Sequence, residues 1–191
     1  MDRNHNIVEV DLKKFNGLLE AINEMNLEFK GNQICLNSTE DDVDNYHLGC
    51  GSLYYDWSTA KYENGELVSL DKFKNCLKES DFSVLCPTFH GTIFEKLYKE
   101  IKSKYEIGRV RIMRLTPGRV MSWHQDDSPR IHYPFKTQEG CMMVFDNDCK
   151  HLKQDQWYYT DTRKRHTAFN ASRENRYHIV AVITDDLEKE N

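Results

Sequence analysis

The spacing of apolar and polar positions changes near residue 105. Before it, the pattern is mixed. Val8, Val10, Leu12, Phe15, Leu18, Leu19, Ile22 and Met25 predict a helix over the later part of residues 8–25. Helices are also predicted from about Leu70 to Leu77 and from about Thr92 to Lys104, the second with Ile93, Phe94, Leu97, Tyr98 and Ile101 on one face. Leu53-Tyr54-Tyr55-Asp56-Trp57 reads as a strand or a substrate-facing edge, and the acidic, turn-rich residues 37–45 read as an exposed loop. After residue 105 short alternating segments take over. Strands are predicted at 107–115, 119–123, 130–135, 141–146, 149–153, 156–160, 166–170 and 176–183. Pro117-Gly118, Asp127-Ser128-Pro129, Glu139-Gly140, Asp146-Asn147-Asp148 and Ser172-Arg173-Glu174-Asn175 mark turns between them.

That succession predicts a mainly β fold with helical N-terminal support, a small sandwich or jelly roll rather than a parallel α/β sheet. The expected organisation is one structural domain: a helical or mixed region over 1–104, a β core over 105–185 and a tail over 186–191. The net charge of −5 argues against nucleic acid as main partner, because phosphate binding usually shows as a basic surplus. No apolar run approaches the length of a membrane span, and the first residues lack a signal-peptide apolar segment. Cys35, Cys50, Cys76, Cys86, Cys141 and Cys149 form no C-x-x-C pair, so reduced thiols in a cytoplasm are the simplest expectation.

The chemistry concentrates in the β-rich half. Of the eight histidines, only His124 is followed two residues later by a carboxylate, Asp126. Only His166 has an arginine, Arg176, ten residues downstream. Two imidazoles and a carboxylate can hold Fe(II) on one face and leave the opposite face open. A jelly roll can bring the end of its second strand and the starts of its seventh and eighth to one end of the barrel. Alternation places Ala168 and Asn170 with His166, His178 and Val180 with Arg176, and His132 and Pro134 with Arg130. If those faces point inward, the buried polar groups need partners, at a cost of roughly 1–3 kcal/mol for each one left without. A metal and an anionic cosubstrate would supply them. On that reading 2-oxoglutarate takes two metal positions and O2 one, while the planar fork of Arg176 grips the distal carboxylate.

The stretch Pro117-Gly118-x5-His124-x-Asp126, then Arg130-Ile131-His132, Glu139-Gly140, His166-x3-Asn170 and Arg176-Tyr177-His178-Ile179-Val180 resembles the aspartyl/asparaginyl β-hydroxylase family, which includes bacterial hydroxylases of free proline. The resemblance covers roughly residues 107–183. It implies a double-stranded β-helix (a cupin-like jelly roll) with His124, Asp126 and His166 matching the iron ligands. Arg176 matches the arginine for the far carboxylate of 2-oxoglutarate, and His132 stands where the family places a second cosubstrate contact. Some members lack the carboxylate ligand; Asp126 keeps it, as the small bacterial hydroxylases do. Met113 stands where certain members carry a serine near the cosubstrate.

Arg130, Arg119, Asn170 and Trp123 are candidates for substrate binding, and Tyr54, Tyr55, Trp57 and Trp157 for the pocket wall or the core. Asp127 competes with Asp126 as ligand, and Arg163-Lys164-Arg165 reads as a solvated turn. The expected function is an Fe(II)- and 2-oxoglutarate-dependent dioxygenase that hydroxylates an amino acid or a peptidyl side chain, releasing succinate and CO2. Alternatives are a cupin-like metalloenzyme that does not use 2-oxoglutarate and a non-catalytic binding module on the same barrel.

Overall fold

A computed structural model describes residues 6–184; the expected tail at 186–191 lies outside them. In chain order the elements are β1 (Ile7–Val10), α1 (Leu18–Glu24), β2 (Gln33–Cys35), β3 (Asn37–Ser38), β4 (Tyr55–Glu63), β5 (Glu66–Lys72), β6 (Val84–Leu85) and α2 (Ile93–Lys102). Then follow β7 (Ile107–Leu115), β8 (Arg130–Lys136), β9 (Cys141–Phe145), β10 (Asp148–Lys150), β11 (Trp157–Thr160), β12 (His166–Asn170) and β13 (Arg176–Ile183).

From β7 onward the chain alternates between two sheets. A six-stranded sheet has the order β1-β11-β8-β13-β7-β2, and a three-stranded sheet the order β10-β9-β12. The segment after β7 joins the smaller sheet through bridges from Val120 to Phe169 and from His124 to His166. This winding is a double-stranded β-helix. The predicted strand at 119–123 is thus present only as isolated bridges, because pairing is limited to a few contacts such as Met121 N–H to Ala168 O at 2.8 Å.

The strand period decides where the core sits. Val110 and Ile112 of β7, Ile131 and Tyr133 of β8, and Ile179 and Ala181 of β13 face outward and pack with Leu18 and Ile22 of α1 and Phe94, Leu97 and Ile101 of α2. The apolar core therefore lies between the large sheet and the helices. The residues in between, Arg109, Arg111, Arg130, His132, Arg176 and His178, turn into the barrel and are buried. Ile7, Met143, Phe145, Leu152 and Tyr158 form a second, smaller apolar cluster.

α2 forms as its periodicity predicts, with the Thr92 hydroxyl capping it by accepting from Phe94 N–H at 3.1 Å. Three expectations for the first hundred residues are corrected. Residues 70–77 are not helical: Asn64 (φ 51°) and Gly65 (φ 85°) make a tight turn that closes β4 and β5 into a hairpin. Residues 37–45 are not wholly an exposed loop, since Asn37 is fully buried and bridges Phe82 O, Gly108 O and Val110 N–H. The N-terminal region also does more than pack on the barrel, because β1 and β2 become the two edges of the large sheet.

Candidate active site

His124 and His166 face each other across an antiparallel bridge, each backbone N–H bonded to the other's carbonyl at 3.0 and 2.9 Å. Backbone pairing thus sets the two rings, whose centroids lie 4.3 Å apart. The Nδ1 of His124 lies 2.7 Å from Ser122 O, and the Nδ1 of His166 lies 2.9 Å from Lys164 O. A carbonyl can only accept, so each Nδ1 carries the proton and each Nε2 keeps a free lone pair. Asp126 is held by its backbone N–H on Thr162 O at 2.9 Å. One ligand atom from each of the three side chains falls within 4.8 Å of the others. That donor set, two imidazoles and one carboxylate, suits a facial iron site.

The carboxylate of Asp126 is divided. Oδ1 accepts from Arg130 Nη2 at 3.1 Å, while Oδ2 lies 3.7 Å from His166 Nε2. Burial disfavours the charged form of Asp126. The charge of Arg130 and a hydrogen bond from the Thr162 side chain outweigh it and hold the carboxyl below its ordinary range. His166 is held below the usual imidazole range, first by burial. Both shifts favour the ligand forms.

Arg130 is in turn tied to Glu79, whose Oε2 lies 2.7 Å from Arg130 Nη2 and whose Oε1 lies 2.6 Å from Arg109 Nη2. Glu79 reaches this position because its backbone lies against β7: a Cβ on Gly108 would collide with the Glu79 carbonyl. Nothing in the sequence singled out Glu79. It sits outside every motif, and only the approach of a remote loop to β7 brings it to the site.

Along β13, register places His178 opposite Pro134 and Val180 opposite His132. His132 and His178 meet edge to face at 5.8 Å. All four of their ring nitrogens and the Nε of Arg176 are buried without a hydrogen-bond partner. Burial, and then Arg176, push His132 down to about 3 and His178 well below its usual range, so both rings are neutral. Burial lowers Arg176 to about 10, still protonated at neutral pH. A buried cation beside neutral imidazoles, with no anion among the described residues paired to it, matches the needs of a carboxylate ligand. His178 was visible in the sequence only as a residue sharing the Arg176 face.

These groups line one cavity of about 760 Å³, together with Tyr54, Tyr55, Trp57, Glu79, Arg111, Met113, Met143 and Leu152. Of the sequence-predicted residues, His124, Asp126, His166, Arg176, His132 and Arg130 all face it. Three substrate candidates do not. Asn170 is consumed by its turn: its amide donates to Leu115 O and Glu174 O at 2.8 and 2.7 Å, and its oxygen accepts from Ser172. Arg119 is exposed and away from the cavity, and Trp123 lies on the surface with the Arg165 guanidinium 5.4 Å from its ring centre. Arg130, as a substrate group, is already committed to Glu79 and Asp126. Asp127 accepts from Tyr54 OH at 3.2 Å and lies outside the three-residue cluster. Trp157 is core, stacked on Tyr133 at 4.5 Å. All six cysteines are free thiols, and among the described residues no helix is long and apolar enough to cross a membrane.

Among solved structures, a cupin domain from Bordetella pertussis Tohama I is similar, with 18% identity, a TM-score of 0.37, and coverage of 42% of this chain and 84% of that one. A collagen prolyl hydroxylase of Paramecium bursaria Chlorella virus-1, in complex with 2OG, shares 18% identity at a TM-score of 0.36, covering 48% and 68%. A Burkholderia pseudomallei oxidoreductase of the 2OG-Fe(II) oxygenase family shares 14% at 0.36, covering 41% and 43%. No curated protein matches the chain. The sequence profile of the Aspartyl/Asparaginyl beta-hydroxylase family matches residues 38–185, most of the chain, and the protein belongs to that family.

Proposed function

We propose that the protein is an Fe(II)- and 2-oxoglutarate-dependent dioxygenase that hydroxylates an amino acid or a peptidyl amino-acid side chain. The observation that carries this reading is the pairing of two features in one cavity. A His124–Asp126–His166 cluster has both Nε2 atoms free, and a buried Arg176 has no anionic partner among the described residues. His124, Asp126 and His166 would hold the iron; Arg176, with His132 and His178 beside it, would hold 2-oxoglutarate. Bound iron and cosubstrate would supply the oxidation of a C–H bond to hydroxyl by O2, with 2-oxoglutarate converted to succinate and CO2.

The protein's own groups bind and orient. Arg130 keeps Asp126 ionised and occupies only Oδ1, which leaves Oδ2 for the metal. The carbonyls of Ser122 and Lys164 fix both histidines in the tautomer a metal needs. Neutral His132 and His178 can donate to a carboxylate without adding charge, and Met143 and Leu152 make part of the cavity wall apolar. No side chain need act as acid or base, because the bound iron would supply the group that takes a hydrogen atom from the C–H bond.

The test is succinate release by anaerobically iron-loaded protein given 2-oxoglutarate and then O2, with and without a panel of amino acids and short peptides. Stimulated turnover supports the reading. Absence of succinate from protein shown to contain iron would favour a cupin-like metalloenzyme instead.

A further inference from the structure

Two of the free thiols lie together, away from the His124–Asp126–His166 cluster. Cys35 ends β2 and is fully buried, while Cys50 is partly exposed at the end of a run of turns. Leu48 N–H on Asn45 O and Cys50 N–H on His47 O, each at 3.1 Å, close those turns. The run is hung on β2, because Tyr46 O accepts from Cys35 N–H at 2.9 Å. The Cys50 sulfur lies 3.8 Å from the same oxygen and 3.3 Å from Gln33 O. The run also presses on the other sulfur: a Cβ on Gly49 would come within 2.7 Å of Cys35 Sγ. In this arrangement the Cys35 thiol donates to the Cys50 sulfur.

That contact makes the two thiols unequal. The hydrogen bond from Cys35, helped by the Arg111 and Lys30 charges, outweighs burial and holds Cys50 below the ordinary thiol range. Burial, and then the donation to Cys50, push Cys35 well above it. Cys50 thus combines thiolate character with access to solvent, and Cys35 is a shielded sulfur within reach of its neighbour. This is the division of labour between an attacking and a resolving thiol. Among the described residues no third metal-ligating side chain joins the pair, so the two sulfurs do not form a metal site of ordinary ligand count.

We propose that Cys50 is a redox modification site: hydrogen peroxide oxidises it, and Cys35 resolves the product to an intramolecular disulfide. The Cys50 thiolate attacks one peroxide oxygen. An S–O bond forms as the O–O bond breaks, and the leaving hydroxide takes up a proton as water. The Cys35 sulfur then attacks the Cys50 sulfur. An S–S bond forms, the S–O bond breaks, and the departing hydroxyl leaves as water with the Cys35 proton. Two thiols are oxidised to one disulfide while one peroxide is reduced to two waters. Gly51, next to Cys50, already bonds Gln33 Oε1 through its N–H at 3.0 Å, and both line the large cavity. The modification therefore falls in the cavity wall, and it does not depend on the oxygenase reading.

The experiment treats the full chain with hydrogen peroxide at neutral pH, with a chelator present to exclude iron-catalysed oxidation. Differential alkylation and mass spectrometry follow each thiol, with the exposed Cys76 and Cys149 as references. Cys50 should oxidise at least about threefold faster than either, because a lowered pKa enlarges the thiolate fraction by more than it costs in nucleophilicity. The product should be a peptide pair linked through Cys35 and Cys50, lighter by two hydrogen atoms and separated again by dithiothreitol. Cys35→Ala should abolish the link and leave Cys50 as a sulfenic acid that dimedone traps. Should Cys35→Ala fail to fold, Cys50→Ser serves instead, and in it Cys35 should stay a thiol while Cys76 and Cys149 oxidise. Cys50 reacting no faster than Cys76 and Cys149 would overturn the proposal. So would a link from Cys50 to any other cysteine, sulfinic acid at Cys50 without a disulfide, or unslowed oxidation of Cys35 in Cys50→Ser.

Discussion

Replacing Glu79 with alanine removes the one acid shared by Arg109 and Arg130. Its oxygens lie 2.6 and 2.7 Å from the two guanidiniums, and the three side chains are 11%, 7% and 3% exposed. Removing one partner of a buried ion pair usually costs about 3–5 kcal/mol, because the other charge is left without compensation. Two cations are stranded here, but neither is left bare. Arg109 keeps Gly49 O and Gly51 O, and Arg130 keeps Ser128 O and Asp126. The lower end of the range, about 3 kcal/mol, is therefore expected. Urea unfolding of the metal-free protein measures it, and in an Arg109→Met background the loss should shrink by at least ~1 kcal/mol. The metal should feel the change as well. Arg130, released from Glu79, can close on both oxygens of Asp126, and Co(II) or Mn(II) affinity should fall by about 10–100-fold. A stability loss below about 1 kcal/mol, or unchanged metal affinity, would refute the account of Glu79 as the group that holds Arg130 to one oxygen.

His166→Ala should abolish stoichiometric metal binding while circular dichroism shows the apo fold retained; metal bound as tightly as in the parent would remove His166 from the ligand set. Arg176→Gln should weaken N-oxalylglycine, a 2-oxoglutarate isostere that is not turned over, by about 2–5 kcal/mol, at least ~30-fold, with Mn(II) affinity nearly unchanged, and calorimetry separates the two. Metal-free protein should lose stability as pH falls below about 6.5. His132 and His178 are kept neutral by burial and by Arg176 but would be protonated in the unfolded chain, so unfolding takes up protons at up to about 1.4 kcal/mol per pH unit for each ring. For His132 the loss runs down to its folded value of about 3. His132→Leu should flatten that slope, and urea unfolding at pH 7 and pH 5 would show an unchanged slope if the ring were not buried neutral. Asn170→Ala should destabilise the fold by at least ~1 kcal/mol through the unpaired Leu115 and Glu174 carbonyls, without altering the affinity for any bound acid.

The sequence by itself determined the β-rich second half and the order of His124, Asp126 and His166 within it. Strand alternation is a local property, so the shared faces of β8, β12 and β13 follow from period two, while the tertiary structure decided that these faces point into the barrel. The capped, amphipathic α2 was legible for the same reason. Leu70, Phe73 and Leu77 have a spacing that also suits a helix, but the Asn64-Gly65 turn draws residues 66–72 into the second strand of a hairpin. Only the tertiary structure showed that Asn170 is spent on a turn, that Arg130 answers to Glu79, and that Arg111 is held by Gln33. Each of those facts depends on which charge lies within a few ångströms across a large sequence separation. Electrostatic pairing is set by distance in space, and no local pattern along the chain encodes it.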